Sequence, residues 1–263
     1  MKKEISLFMH NMKHSRFMFV ILILVGLVVG FISPVWTEEL GNNIPKTASS
    51  LVAVDPSVCY SFALMIMCVF VAYLCAGDMK EKVINYEVMS GHTRAGIYFP
   101  RTILAVIFTT LFSMILSLIP VVVSVAIYGW GNTMEFKYAI IRLLCCAFPY
   151  MRLAAFMCFL AFWVKKGTGV MVWGYLVYMF SALFSSLGEG STYLSAFRNV
   201  TALMSFNTRS VYNISMAKGI IYYSKYLSKP EPGLIAKTVL LSCLMTAIYM
   251  LMGYGLFRRD DLN

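Results

Sequence analysis

Charge is what this sequence has least of. Only 13% of its 263 residues are Asp, Glu, Lys or Arg, while 60% are hydrophobic. A soluble domain carries about 25% charged and about 45–50% apolar residues. The shortage argues against an ordinary soluble domain and for a polytopic membrane protein. Other absences narrow the function. There is no GxxxxGK[ST], so the chain binds no ATP through a P-loop. No HExxH, GxSxG or paired-carboxylate motif occurs, so no catalytic residue is assigned. No Asp or Glu falls inside any apolar span. That argues against a proton-relay pump or an intramembrane metalloprotease, which need ionisable groups at membrane depth. The three histidines, His10, His14 and His92, all sit in polar segments. None of the seven cysteines forms a CxxC pair, and no Cys or Met groups with His at ligand spacing. The cysteines read as small packing residues, and no metal site is assigned.

What is present is a series of long apolar runs. Six predicted spans cover residues 17–35, 58–76, 102–128, 138–164, 169–187 and 234–257. Each is near or above the roughly 20 residues that cross a bilayer core of about 30 Å. The first is too long for a cleavable signal peptide and lacks a small-residue cleavage site after it. Gly26 and Gly30 form a GxxxG pair within it, a spacing that lets another helix approach closely. Ahead of it, Ile5, Phe8, Met9 and Met12 mark one helical face among Lys2, Lys3, Lys13 and Arg16. Residues 1–16 therefore read as an amphipathic helix lying in the headgroup plane. Pro120 is expected to kink span three, because proline removes a backbone donor. Lys165, Lys166 and Gly167 form a very short turn after span four. A long loop, Gly188–Gly233, separates spans five and six. Its Val200–Leu227 part is apolar enough to pack on the membrane or re-enter it. Asn199-Val-Thr201 and Asn213-Ile-Ser215 match the glycosylation sequon there.

The net charge of +10 is no nucleic-acid signature here, because the basic residues cluster beside the spans. Lys2, Lys3, Lys13, Arg16, Lys80, Lys82, Arg94, Arg101, Lys165, Lys166, Arg258 and Arg259 fall on one side. The two short loops on the other side hold only Lys46 and Lys137. Short loops decide orientation, so both termini are expected in the cytoplasm of a cell-membrane, multi-pass protein.

The most polar stretch between two spans is Gly77–Arg101, with Asp78, Lys80, Glu81, Lys82, Glu87, Arg94 and Arg101. Asp78–Met89 is rich in helix formers. Ser90-Gly91 breaks the run, and Gly91 can take the positive φ that ends a helix. Thr93 can start another helix, through Ile97 and Tyr98 into span three. This predicts a helix, a sharp turn and a second helix that project into the cytoplasm and dock a partner. Arg152 is the second feature. It sits near the middle of span four, where such a charge costs about 2.5–3.5 kcal/mol. It reads either as an anionic contact in a transport path or as a group brought near an interface by a bend at Pro149. Arg142 lies nearer the outer end and can snorkel to water.

The pattern Asn85-Tyr86-Glu87, Ser90-Gly91-x-Thr93-Arg94, Ile97-Tyr98 and Arg101 resembles the first cytoplasmic loop of ABC transporter permeases of the type-2 export class. Phe257-Arg258-Arg259-Asp260-Asp261 is similar to the family's ending after span six. Arg101 stands where many relatives have Lys. The resemblance implies an all-α permease with six spans, an amphipathic N-terminal helix and short re-entrant helices in the loop between spans five and six. It implies that Glu81, Glu87, Gly91, Thr93, Arg94 and Tyr98 belong to a coupling segment contacting a separate ABC ATPase subunit. ATP and Mg would sit on that ATPase, this chain holding no cofactor, and a second permease copy or homologue would complete the dimer in the lipid bilayer. Export of a peptide, drug or lipid-like substrate follows as the expected activity. A membrane anchor or sensor that recruits a cytoplasmic partner through the same segment stays open.

Overall fold

The computed structural model describes residues 20, 24, 27–28, 47–49, 71, 75, 87–132, 135–174, 176, 212–215, 220–223 and 232–259. Among them the chain forms α1 (Arg94–Tyr128), α2 (Phe136–Cys145), α3 (Ala147–Val164), strands β1 (Tyr212–Ser215) and β2 (Ile220–Tyr223), and α4 (Pro232–Arg259). Residues 167–174 are also helical. Three stretches of the described residues are long and apolar enough to cross a membrane: Arg94–Tyr128, Phe136–Val164 and Thr238–Arg259. They coincide with spans three, four and six. Most of spans one, two and five, the N-terminal helix over 1–16 and Glu81 lie outside the described residues. In the long loop, β1 and β2 pair antiparallel, Tyr212 opposite Tyr223 and Ser215 opposite Ile220. That hairpin lies where short re-entrant helices were expected, and it is the one described departure from an all-helical chain.

Helix α1 has 35 residues. At 1.5 Å per residue it is about 52 Å long, well beyond a bilayer core of about 30 Å. Its first two turns carry Arg94 and Arg101, and its uncharged part starts at Thr102. The helix runs unbroken through Pro100 and Pro120.

Span four does break. Helix α2 ends at Cys145 and Cys146 is a turn, its N–H donating to the Leu143 carbonyl at 3.3 Å. The cause lies three residues later. Pro149 has no N–H for the Cys145 carbonyl, and its ring crowds that carbonyl. In the first turn of α3 the same proline does no harm.

Apart from Arg152 and the Tyr150 hydroxyl, helix α3 is apolar all round, as a helix enclosed by others must be. Leu153, Ala154, Ala155, Met157, Cys158, Leu160 and Ala161 are all buried. It packs against both α1 and α4. Small residues allow these backbones to come close, the usual source of helix affinity where lipid removes the hydrophobic drive. They are Ala154, Ala155, Cys158 and Ala161 on α3, Ala105 and Ser113 on α1, and Ser242 and Thr246 on α4. Several buried hydroxyls donate back to their own helix: Thr102 to Tyr98, Thr110 to Val106, Ser113 to Thr109 and Thr246 to Ser242. Such bonds satisfy the hydroxyl without a partner helix. From span two, Val71 and Cys75 join the same core one helical turn apart, the Cys75 thiol 3.9 Å from that of Cys158. On the far side of α1, Ile103, Ile107, Leu111, Ile115, Leu118, Val122 and Val125 stay exposed. Steps of three and four make one continuous apolar face, of the kind lipid covers.

The two ends of the bundle differ. At one end the start of α1 meets the ends of α3 and α4. Arg94, Arg101, Lys165, Lys166, Arg258 and Arg259 gather there. At the other, the residues after α1 receive the first loop: Ala48 N–H donates to the Gly129 carbonyl at 3.2 Å and Ser49 N–H to that of Trp130 at 2.8 Å. The sequence assigned those two loops to one side and the cationic segments to the opposite side. The described contacts have the same arrangement.

A candidate coupling surface and a buried arginine

The turn before α1 is built from local rules. Residues 87–89 are helical. The Gly91 N–H donates to the Val88 carbonyl at 3.0 Å and the His92 N–H to that of Glu87 at 3.3 Å. This pair of bonds is a Schellman closure, with Gly91 in the position that needs a positive φ. Its φ is 94°, and a Cβ there would meet nothing within 4 Å. The Ser90 hydroxyl also donates to the Glu87 carbonyl, at 2.7 Å. Thr93 then caps α1: its backbone is extended, and its hydroxyl accepts from the Gly96 N–H at 3.2 Å. An Ncap oxygen of this kind satisfies one of the helix's orphan donors. The predicted turn thus stands at Ser90-Gly91, with the second helix beginning after Thr93.

The tip of this turn faces out. Met89 is 84% exposed, and Ser90, Gly91, His92 and Thr93 are exposed with it. Its base is braced on the bundle. Arg101 and Glu87 form an ion pair at 2.6 Å, both largely shielded. Arg94 donates to the Arg258 carbonyl at 2.5 Å. That carbonyl is one of the four a helix end leaves unmet, and a cation there also opposes the negative end of the α4 dipole. Glu87 and Arg94, expected to reach a partner, are therefore engaged within the chain. Glu81 lies outside the described residues.

Tyr98, also expected in the coupling segment, is buried at 1% exposure. It belongs to the inside of the bundle, where it is a hub. Its ring lies 4.7 Å from Phe162 on α3, and 5.6 Å and 5.8 Å from Tyr254 and Phe257 on α4. Its hydroxyl donates to the Met250 carbonyl at 2.8 Å. The close approach needs Gly253, where a Cβ would collide with that hydroxyl. Phe257, the last residue of predicted span six, is a buried helical residue of this cluster. The hub joins residues more than sixty positions apart, so periodicity along one segment did not find it. The available signal was the recurrence of aromatics at three helix ends on one predicted side.

Arg152 lies in α3 at 2% exposure. Its Nε makes no hydrogen bond. The helix breaks before Pro149, and Arg152, six residues past the turn, is buried within the protein. It stays enclosed between helices. Of Arg142 only the backbone, in α2, is described. The chain matches no family model, no curated protein and no solved structure.

Proposed function

We propose that this chain is the membrane-spanning subunit of an ATP-driven exporter of the ABC type-2 class. A separate ATPase subunit carries ATP and Mg, and a second permease copy or homologue completes the path. The substrate class is a peptide, drug or lipid-like molecule leaving the cell. The remaining spans complete a six-span permease in the cell membrane, with both termini cytoplasmic.

One observation carries the reading: an exposed, rigidly capped turn stands on the cationic end of the bundle and is tied to three helices at its base. Cations favour the cytoplasmic side, which is where an ATPase would grip it. A push on Met89–Thr93 reaches α1 directly, α4 through Arg94, and α3 and α4 together through Tyr98. Contacts that couple several packed helices suit a rigid-body change of access. The exposed tip supplies the docking face, while Glu87, Arg94 and Tyr98 transmit. Arg152 is the candidate anionic contact in the path.

The test combines Gly91→Val and Arg94→Glu. Loss of ATPase co-purification and of export, with the permease still folded in the membrane, supports coupling; retention of both removes it. ATP-driven uptake into inverted liposomes holding permease and ATPase separates export from anchoring or sensing.

A further inference from the structure

A second feature lies at the cationic end. Between the ends of α3 and α4 lies a cavity of about 240 Å³, lined by Phe162, Trp163, Lys165, Leu256 and Arg259. We propose that this cavity binds the phosphate of an anionic phospholipid headgroup, with Lys165 and Arg259 facing the phosphate and Trp163 lying against the upper part of the lipid.

Three observations support this. First, Lys165 and Arg259 come from two different helices and both line the cavity, where their two full charges outweigh the roughly half-charge negative dipole at each helix end. Second, Lys165 occupies the left-handed region, φ 57°, at the C-cap of α3. Gly or Asn is the usual residue at such a cap, and a lysine there bears backbone strain. An outlier that persists against a cheaper alternative points to use of its side chain. Third, the cavity opens beside an aromatic row. Trp163 lies 6.4 Å from Phe159 and 6.0 Å from Trp173, and both tryptophans are about half exposed, at 54% and 46%. Tryptophans beside cations at a helix end mark the headgroup level of a bilayer, and basic pockets between spans at that level take anionic headgroups. Asp260 and Asp261 follow Arg259 in sequence and lie outside the described residues.

The inference rests on the membrane reading but not on export, and its test needs no ATPase. The purified full chain in detergent is titrated with dioleoylphosphatidylglycerol, dioleoylphosphatidylcholine or inorganic phosphate, and native mass spectrometry counts what is retained. Phosphatidylglycerol should be held at least about fivefold more tightly than phosphatidylcholine. Lys165→Gln and Arg259→Gln should each weaken it about fivefold, the effect expected of one cation at an anionic surface. Lys137→Gln, at the opposite end, should change nothing. Lys165→Gly is the sharpest arm: it relieves the backbone and removes the charge, so thermal stability should hold or rise while lipid retention falls. Equal retention of both lipids, displacement by equimolar inorganic phosphate, or undiminished retention by Lys165→Gly would each overturn the proposal.

Discussion

Gly253 and Tyr98 give the strictest test of the packing at the cationic end. A methyl group at 253 would collide with the Tyr98 hydroxyl, while the ring carbon that bears it, at 3.4 Å, and the Phe159 Cα, at 3.7 Å, lie at ordinary contact distance. The hydroxyl alone is therefore in the way. Gly253→Ala must push the ring aside, and overpacking of this kind costs about 1–3 kcal/mol. It also strains the bond from Tyr98 to Met250, worth about 0.6 kcal/mol within membrane bundles. Tyr98→Phe removes only that bond and should cost about 0.6 kcal/mol. In the double variant the obstacle is gone, and the new methyl makes ordinary contact. The pair should therefore cost little more than Tyr98→Phe alone, a coupling of about 1–3 kcal/mol by a double-mutant cycle. Stability would be read from SDS-titrated unfolding of the purified chain, or from its Tm where unfolding is irreversible. Additive losses would refute the contact and the hub built on it.

Three further outcomes follow from the same geometry. Gly91→Asn should leave ATPase co-purification intact and Gly91→Val should reduce it; with open space around the position, only backbone strain of about 1–2 kcal/mol separates the two. Arg94→Ala should lower hydrogen-exchange protection in the last turn of α4 by roughly two- to fivefold, the loss of about 0.3–1 kcal/mol for a cation at a helix C-terminus; unchanged exchange would deny the tie between α1 and α4. Arg152→Met should preserve assembly and thermal stability, since an apolar residue of similar size often replaces a buried charge without loss, while export should fall at least tenfold; full export would remove Arg152 from the path.

The parts of this structure that were legible in the sequence are those fixed by neighbours along the chain. Ser90-Gly91 and Thr93 spell a stop and a start within a few residues, and the hydrogen bonds fall there. The apolar runs of spans three, four and six are long enough to declare themselves. What was not legible depends on distant pairs. Nothing local says that Arg94 will reach the Arg258 carbonyl, or that Glu87 will pair with Arg101. The break of span four was legible in kind but displaced. Pro149 acts on the carbonyl four residues before it, so the turn falls at Cys146. The hairpin of β1 and β2 is not legible in the apolar content of Tyr212–Tyr223, because strand pairing is marked by alternation and turn signals.

The central claim is that the turn at Met89–Thr93 lies in the cytoplasm and is held by an ATPase. Met89 is the most exposed large apolar side chain described, at 84%. A photo-crosslinking amino acid in its place, irradiated in living cells, tests the claim in one step. The account predicts a crosslinked product containing a P-loop protein with no membrane span of its own. A crosslink to an extracellular protein, or none to any P-loop protein while the chain is folded in the membrane, would contradict it.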